Sequence, residues 1–164
     1  MRFVSWNVNG LRAAIRKGID AYFEELNADV VMLQETRTLE EQLPKGWSWP
    51  IGWQVTLHPA EKKGYSGVAT GTTHAHTVLQ TGKGGELDPS DLEGRVLVTE
   101  VNGVVCINTY LPSGSNKDER QRFKEGWMEE WRSFIRPFLN DERPVVVCGD
   151  LNIASDVRKK EGTT

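Results

Sequence analysis

The chain has 164 residues, of which 38% are hydrophobic and 26% charged, and this composition is typical of one globular domain. Lysine and arginine number 20 and aspartate and glutamate 23, so the formal net charge is −3. By itself this balance argues weakly against a nucleic-acid partner, since domains that bind DNA usually carry a basic surface. No apolar run approaches the roughly 18 residues of a membrane-spanning helix, and no signal-peptide pattern opens the chain. We therefore expect a cytoplasmic protein with no membrane partner.

The first half of the chain alternates between strand-like and helix-like patterns. Polar and apolar residues alternate at the N-terminus, and the later run Val30-Val31-Met32-Leu33 is apolar on both faces, as in an interior strand. Apolar residues spaced three and four apart predict short helices. The predicted elements are a strand over 2–8, helices over 11–17 and 19–26, and strands over 29–34, 53–58 and 67–70.

The second half contains a hairpin, one long helix and a last strand. A polar turn is predicted over 82–90, and Asn102-Gly103 then joins strands over 95–101 and 104–111, because this dipeptide favours a tight hairpin turn. Apolar residues at helical spacing predict a helix over 118–139, which Pro137 should end or bend. A strand over 144–148 follows. The whole pattern predicts an α/β fold with helices flanking a sheet.

The cysteines and histidines give little indication of a metal or redox site. Cys106 and Cys148 each lie in an apolar strand, so we expect free, buried thiols and no disulfide. His74 and His76 would share one face of a strand, but no third soft ligand lies nearby, and a zinc site is not expected. His58 has no acidic partner that the sequence reveals, and none of the histidines is assigned a catalytic role.

Polar side chains follow the apolar strands at the points where those strands end. They are Asn7, Glu35, and Asp150 with Asn152. Residues at strand ends leave the core and face a crevice, and carboxylate and amide oxygens are the ligands that Mg²⁺ prefers. Taken singly, each of these residues also fits an ordinary turn, cap or strand exit.

Two further features have both a functional and a structural interpretation. The hydroxyl of Tyr110, at the end of a strand, can donate to a phosphate oxygen or simply cap the sheet. The segment Gly64-Tyr65-Ser66-Gly67 offers donors to a phosphate, and it equally fits a glycine-rich hairpin turn.

Six short motifs in this order resemble the exonuclease III family of apurinic/apyrimidinic endonucleases, within the DNase I-like endonuclease/exonuclease/phosphatase superfamily. They span nearly all of the chain and are Ser5-Trp6-Asn7-Val8-Asn9-Gly10-Leu11-Arg12-Ala13, Leu33-Gln34-Glu35-Thr36-Arg37, Gly64-Tyr65-Ser66-Gly67-Val68, Glu93-Gly94-Arg95, Asn108-Thr109-Tyr110-Leu111-Pro112 and Cys148-Gly149-Asp150-Leu151-Asn152-Ile153-Ala154. The resemblance implies a four-layer α/β sandwich of two facing sheets covered by helices. The chain would cover roughly the first half of it plus the Gly-Asp-Leu-Asn strand.

The resemblance also implies a role for each matching residue. Asn7 and Glu35 would hold Mg²⁺, with Mn²⁺ accepted by the same oxygen donors. Asp150 would orient or deprotonate the attacking water. Contacts to phosphate would come from Asn152, from Tyr110 at the scissile group, and from Arg12 and Tyr65 at flanking groups.

The activity implied is that of a DNA repair nuclease. It would hydrolyse the phosphodiester 5′ to abasic sites with a divalent metal and would trim 3′ ends as an exonuclease. The partner would be double-stranded DNA with abasic sites, and we expect a monomer, cytoplasmic or on nucleoid DNA if the source is bacterial. An acidic net charge does not contradict this, because a local basic rim can face DNA while carboxylates bind metal.

The family pattern continues beyond Gly-Asp-Leu-Asn with segments that residues 153–164 do not contain, among them a Ser-Asp-His. We therefore expect residues 1–164 to form a single catalytic domain that is incomplete at its C-terminus, with an apolar sheet face left exposed. Two alternatives remain open at this point. One is a phosphoesterase of the superfamily acting on an inositol phosphate or sphingomyelin, and the other is a module that binds DNA or a partner without cleaving it.

Overall fold

The computed structural model describes residues 1–85, 91–114 and 118–153. These segments contain both helices and strands, and two single 3₁₀ turns lie at Glu40–Gln42 and Arg136–Asn140. The strands are β1 (Phe3–Asn7), β2 (Val30–Gln34), β3 (Gln54–His58), β4 (Val68–Thr72), β5 (His76–Thr81), β6 (Val96–Val101), β7 (Val104–Tyr110) and β8 (Val145–Asp150), and the helices are α1 (Leu11–Arg16), α2 (Ile19–Glu25) and α3 (Asp118–Ile135).

The strands form two sheets of four. The first has the order β1-β2-β4-β3 and the second β5-β6-β7-β8. Only the β1–β2 and β7–β8 pairs are parallel among the described strands, and their registers set Asn7 opposite Gln34 and Tyr110 opposite Asp150. Parallel strands end at the same edge of a sheet, so each pair delivers two polar residues to one edge.

Four layers result from the way the apolar residues pack. Helices α1 and α2 cover the outer face of the first sheet through Leu11, Ile19 and Phe23. Helix α3 covers the second sheet, where its Trp127 is fully buried. Between the sheets, residues such as Met32 of β2 pack against β6 and β7. The predicted four-layer α/β sandwich is confirmed.

Polar side chains also join the two sheets across the buried interface. Gln34 donates through Nε2 to Oδ1 of Asn108 at 2.8 Å. Asn108 in turn donates through Nδ2 to the carbonyls of Leu33 and Ala69, at 3.1 and 2.8 Å. Gln34 and Asn108 are both buried, so these bonds link the first sheet to the second in a site without competing water.

Most predicted elements are confirmed within one or two residues, but the strand β5 was missed. Five of its six side chains are exposed, so it has no apolar alternation that would have marked it. The predicted helix over 118–139 ends as an α-helix at Ile135 and continues as a 3₁₀ turn, because Pro137 has no N–H to donate. Part of the polar turn predicted over 82–90 lies outside the described residues.

In the described segments the chain builds both sheets itself, and β2, β6 and β7 are buried between them, so the apolar sheet face expected to be exposed is covered there. Strands β1 and β8 are only half-buried. What stays open is an edge, where β8 pairs with β7 on one side and Val147 is 38% exposed. Within the described residues, no helix combines the length and the apolar character needed to cross a membrane.

Candidate active site

Three polar residues from three strand ends meet at one edge of the sandwich. Nδ2 of Asn7 donates to Oε1 of Glu35 at 3.1 Å and to Oδ2 of Asp150 at 2.7 Å. Asn7 and Glu35 come from the parallel pair β1–β2, and Asp150 ends β8, which lies against β1 across the sandwich. The sequence predicted these strand-end residues one by one, and the fold brings them together as a cluster of two carboxylates and an amide.

Glu35 has a strained backbone conformation, and its carboxylate is bound by several partners. Its φ of 55° is in the left-handed region, which a residue with a side chain adopts at a cost of about 1–3 kcal/mol. The Tyr110 hydroxyl donates to Oε1 at 2.5 Å, and Arg37 forms an ion pair with Oε2. Burial would raise the pKa of Glu35, but the bonds from Tyr110 and Asn7 and the charge of Arg37 outweigh it and lower that pKa.

Tyr110 is a buried phenol that keeps its proton. Burial, and then the hydrogen bond and charge of Glu35, raise the pKa of this hydroxyl well above its usual range. A phenol donates a single hydrogen bond, and here Glu35 accepts it. In this arrangement the hydroxyl can accept a further hydrogen bond, but it has no second proton to donate to a phosphate oxygen.

Asn152 closes a tight turn that fixes Asp150. Its backbone N–H donates to Oδ1 of Asp150 at 2.9 Å, and its side-chain Nδ2 donates to the Leu111 carbonyl at 2.7 Å. Asn7 engages the other carboxylate oxygen. Both oxygens of Asp150 are therefore oriented by the protein, and among the described residues one N–H of the Asn152 amide remains for another acceptor.

Arg12 lies on the wall of a basic cavity of about 420 Å³. Arg16 and Arg37 contribute to the same cavity, and Arg37 connects it to Glu35. The hydroxyl of Thr36, also on this wall, is buried with no hydrogen-bond partner among the described residues. Three guanidinium groups and an unpaired hydroxyl make the cavity suited to an anion.

Tyr65 lies in a hydrogen-bond network with one carboxylate and two arginines. Its hydroxyl donates to Oε1 of Glu93 at 3.2 Å and accepts from Arg95 at 3.1 Å and from Arg120 at 2.8 Å. Of these partners, Glu93 and Arg95 belong to one of the six sequence motifs, to which no role is assigned, and no motif contains Arg120. Their separation along the chain gives no local signal of this network.

The histidines are each engaged with a different partner. His58 bonds Asp91 through Nε2 at 2.8 Å, an acidic partner that the sequence does not reveal. Asp91 lies 33 residues later in the sequence, and only the fold brings the two together. His74 bonds Asp29, whereas His76 bonds the Thr56 hydroxyl. No group of three His, Cys, Asp or Glu residues suited to a metal occurs in the described part, and both cysteines are free.

A four-layer sandwich with a carboxylate–amide–phenol cluster at one edge defines a DNase I-like α/β protein. Residues 4–160 match the model of the Endonuclease/Exonuclease/phosphatase family, and the chain belongs to this family.

The chain is also similar to proteins with stated activities. An exodeoxyribonuclease of Bacillus subtilis (strain 168) is 37% identical over 155 residues, which are 94% of this chain and 59% of that protein. A DNA-(apurinic or apyrimidinic site) endonuclease of Dictyostelium discoideum is 32% identical over 157 residues, 94% of this chain and 42% of that protein. A solved structure of a Neisseria 3′ phosphatase bound to a product DNA hairpin superimposes with a TM-score of 0.77 at 25% identity, covering 93% of this chain and 59% of that one. The chain thus spans about half the length of the curated relatives it matches.

Proposed function

We propose that this chain carries the reaction centre of a DNA repair nuclease that hydrolyses the phosphodiester 5′ to abasic sites and trims 3′ ends. The observation that carries the proposal is the cluster of Asn7, Glu35 and Asp150 next to a cavity walled by arginines. The names of the similar proteins, an exodeoxyribonuclease and an abasic-site endonuclease, support DNA as the substrate.

The donor set fits Mg²⁺. Nucleases of this family are generally dependent on divalent metals. The cluster offers hard oxygen donors, and its two carboxylates match the one or two that Mg²⁺ takes from a protein while keeping several waters. Asn7 and Glu35 would hold the ion, which neutralises charge on a phosphate oxygen when bound. Mn²⁺ accepts the same donors.

The positions of the other residues of the cluster define their roles in the reaction. Asp150, with both oxygens oriented, holds and orients the attacking water and can take its proton. The free N–H of Asn152 donates to the phosphate, against which Tyr110 lies. Such positioning and electrostatic stabilisation supply most of the rate in phosphoryl chemistry.

The DNA backbone would bind in the basic cavity. Arg12, Arg16 and Arg37 lie within one cavity, and Arg37 also touches Glu35, so a strand bound there passes beside the carboxylates. This local basic surface reconciles an acidic chain with a DNA partner, because affinity for DNA depends on phosphate contacts and not on net charge.

Incision of a duplex oligonucleotide with one abasic analogue tests the proposal. We expect the chain to cut 5′ to the analogue with MgCl₂ and not with EDTA. Glu35→Ala and Asp150→Asn should each lower the rate by at least about 100-fold while leaving the circular dichroism spectrum unchanged.

Glu25→Gln, at an exposed carboxylate on α2, is the matched control and should cut like the unaltered chain. Full activity of either site variant would refute the site assignment. Binding of the duplex without incision would contradict the nuclease proposal and indicate a DNA-binding module instead.

A further inference from the structure

Arg95 is a buried cation between the two tyrosines of the site. It is 1% exposed, and all three guanidinium nitrogens are engaged. Nε donates to Oε2 of Glu93 at 2.6 Å, Nη1 to the Tyr110 carbonyl at 2.9 Å and Nη2 to the Tyr65 hydroxyl at 3.1 Å. The guanidinium carbon also lies 4.8 Å from the centre of the Tyr110 ring and 5.8 Å from that of Tyr65, within cation–π range.

The backbone of Arg95 is fixed as firmly as its side chain. The N–H groups of Arg95 and Val96 both donate to the Asp91 carboxylate at 2.9 Å, and His58 holds that carboxylate from the other side. The Arg95 carbonyl accepts from the N–H of Tyr110 at 2.8 Å. Arg95 is therefore an anchored point from which other side chains can be positioned.

Tyr65 uses its whole hydrogen-bonding capacity within this network. A phenol hydroxyl donates one bond and accepts two. The one donation goes to Glu93, and the two acceptances come from Arg95 and Arg120. Nothing is left over for a phosphate oxygen while these three bonds persist.

We propose that Arg95 is a positioning residue, which sets Tyr110 and, through the Tyr110 hydroxyl, Glu35 in place. In the same network the Tyr65 hydroxyl ties the Gly64–Gly67 loop to Arg95 and does not bind a phosphate. The consequence for catalysis rests on the proposed nuclease function, but the network itself does not.

The positioning role of Arg95 requires a planar side chain with several hydrogen-bond donors. A guanidinium reaches several acceptors in fixed directions, whereas a lysine ammonium is a point charge on a flexible stem. Arg95→Lys therefore keeps the charge but should lose at least one of the three contacts. Arg95→Met keeps an unbranched side chain and removes all of them.

Fluorine NMR of protein labelled with 3-fluorotyrosine tests the network without any activity. The chain has three tyrosines, so three resonances are expected, and Tyr→Phe variants assign them. Tyr22, 49% exposed on α2, reports on the rest of the fold. Arg95→Lys and Arg95→Met should move the Tyr65 and Tyr110 resonances and leave that of Tyr22. Glu93→Gln is a milder change at a partly exposed residue, and it should shift the Tyr65 resonance most. This variant keeps the test valid if the Arg95 variants fail to fold.

Lys83→Met is the matched control. Lys83 is also a buried cation, but it pairs with Glu130 and lies over the Trp127 ring on the side of α3. The Lys83→Met substitution should leave all three tyrosine resonances in place even if it lowers the stability of the protein. Folded variants at Arg95 and Glu93 that shift Tyr65 and Tyr110 no more than Lys83→Met does would overturn the inference.

Kinetics of duplex incision give the second readout. For Arg95→Lys we expect kcat to fall about 10- to 100-fold with KM within about twofold, because misplaced groups slow the chemical step. Lys83→Met should change neither. A higher KM with unchanged kcat would overturn the positioning role and indicate direct contact with DNA. If the unaltered chain does not cut DNA at all, the proposed function fails, and the fluorine spectra alone decide the role of Arg95.

Discussion

Buried charges near the site each have a specific partner, and the pairing decides their protonation. Burial would raise the pKa of Asp91, but hydrogen bonds from His58 and from the N–H groups of Arg95 and Val96 outweigh it and lower that pKa. In the same way, hydrogen bonds from Tyr110 and Asn7 help to lower the pKa of Glu35 against the effect of burial. Each pair is costly to break, because removing one partner leaves the other buried and unsatisfied.

The lowered pKa of Asp91 predicts acid sensitivity of the fold. In the unfolded chain this carboxyl returns to its ordinary pKa near 3.8, so unfolding takes up a proton at low pH. The stability that Asp91 contributes is complete above that value and is lost as the pH falls through the lower pKa of the folded state. We therefore expect Asp91→Asn to lower the free energy of unfolding at pH 7 and to make its decline below pH 3.8 shallower. Urea unfolding followed by tryptophan fluorescence between pH 3 and 7 measures both.

The exposed Glu61→Gln is the control for that series and should follow the unaltered chain at every pH. Equal losses of stability on acidification in Asp91→Asn and the unaltered chain would contradict the prediction.

At the scale of elements, the close approach of β7 and β8 determines where Asp150 lies. A Cβ added to Gly149 would fall 1.7 Å from the Thr109 carbonyl oxygen, a contact that requires the strand to move. Tyr110 and Asp150 are register partners in the next position. The glycine therefore lets β8 lie against β7 just before the residue that faces the cluster.

Gly149→Ala should push β8 away from β7. We expect a loss of at least about 2 kcal/mol in the free energy of unfolding, because overpacking that shifts a strand is among the larger single-residue effects. Gly103→Ala is the control: it lies in the hairpin at φ 75° with open space around an added Cβ. It should cost about 1–2 kcal/mol of backbone strain only. Equal losses for both substitutions, measured by urea unfolding, would show that the contact with Thr109 does not matter.

At the scale of the molecule, the site exists because two sheets end at the same edge. The first sheet supplies Asn7 and Glu35, and the second supplies Tyr110 and Asp150. The distance between these groups therefore depends on how the sheets are joined. The buried bonds of Asn108 to the first sheet lie two residues before Tyr110 and provide that connection.

Asn108→Leu should weaken the joint between the sheets. It removes the donor to the Leu33 and Ala69 carbonyls and the acceptor of Gln34, and unsatisfied buried groups of this kind cost about 2–3 kcal/mol in stability. Thr99→Val is the control, because the Thr99 hydroxyl is buried without a partner among the described residues and its loss should be nearly neutral. A thermal unfolding series compares the two, and a neutral Asn108→Leu would contradict the role of this side chain.

Local patterns predicted the elements wherever a strand or helix buries apolar residues. The hairpin at Asn102-Gly103, the strand that ends just before Glu35 and the helix of Trp127 were all predicted, because turn residues, apolar runs and apolar periodicity are properties of neighbouring residues. The exposed strand β5 shows the converse, since a strand with no buried face leaves no period to detect. The roles assigned to the predicted site residues stay predictions until the variants are measured.

The order of residues along the chain is enough to show which chemical groups stand at the strand ends and which family pattern they follow. Which of these groups touch one another follows from the fold: Asn7 with Asp150, which are 143 residues apart, His58 with Asp91, and Arg95 with both Tyr65 and Tyr110. The physical reason is that a hydrogen bond between distant residues is fixed by strand register and by the packing of one sheet on another. A local pattern of apolar and polar residues predicts neither the strand register nor the packing of the sheets.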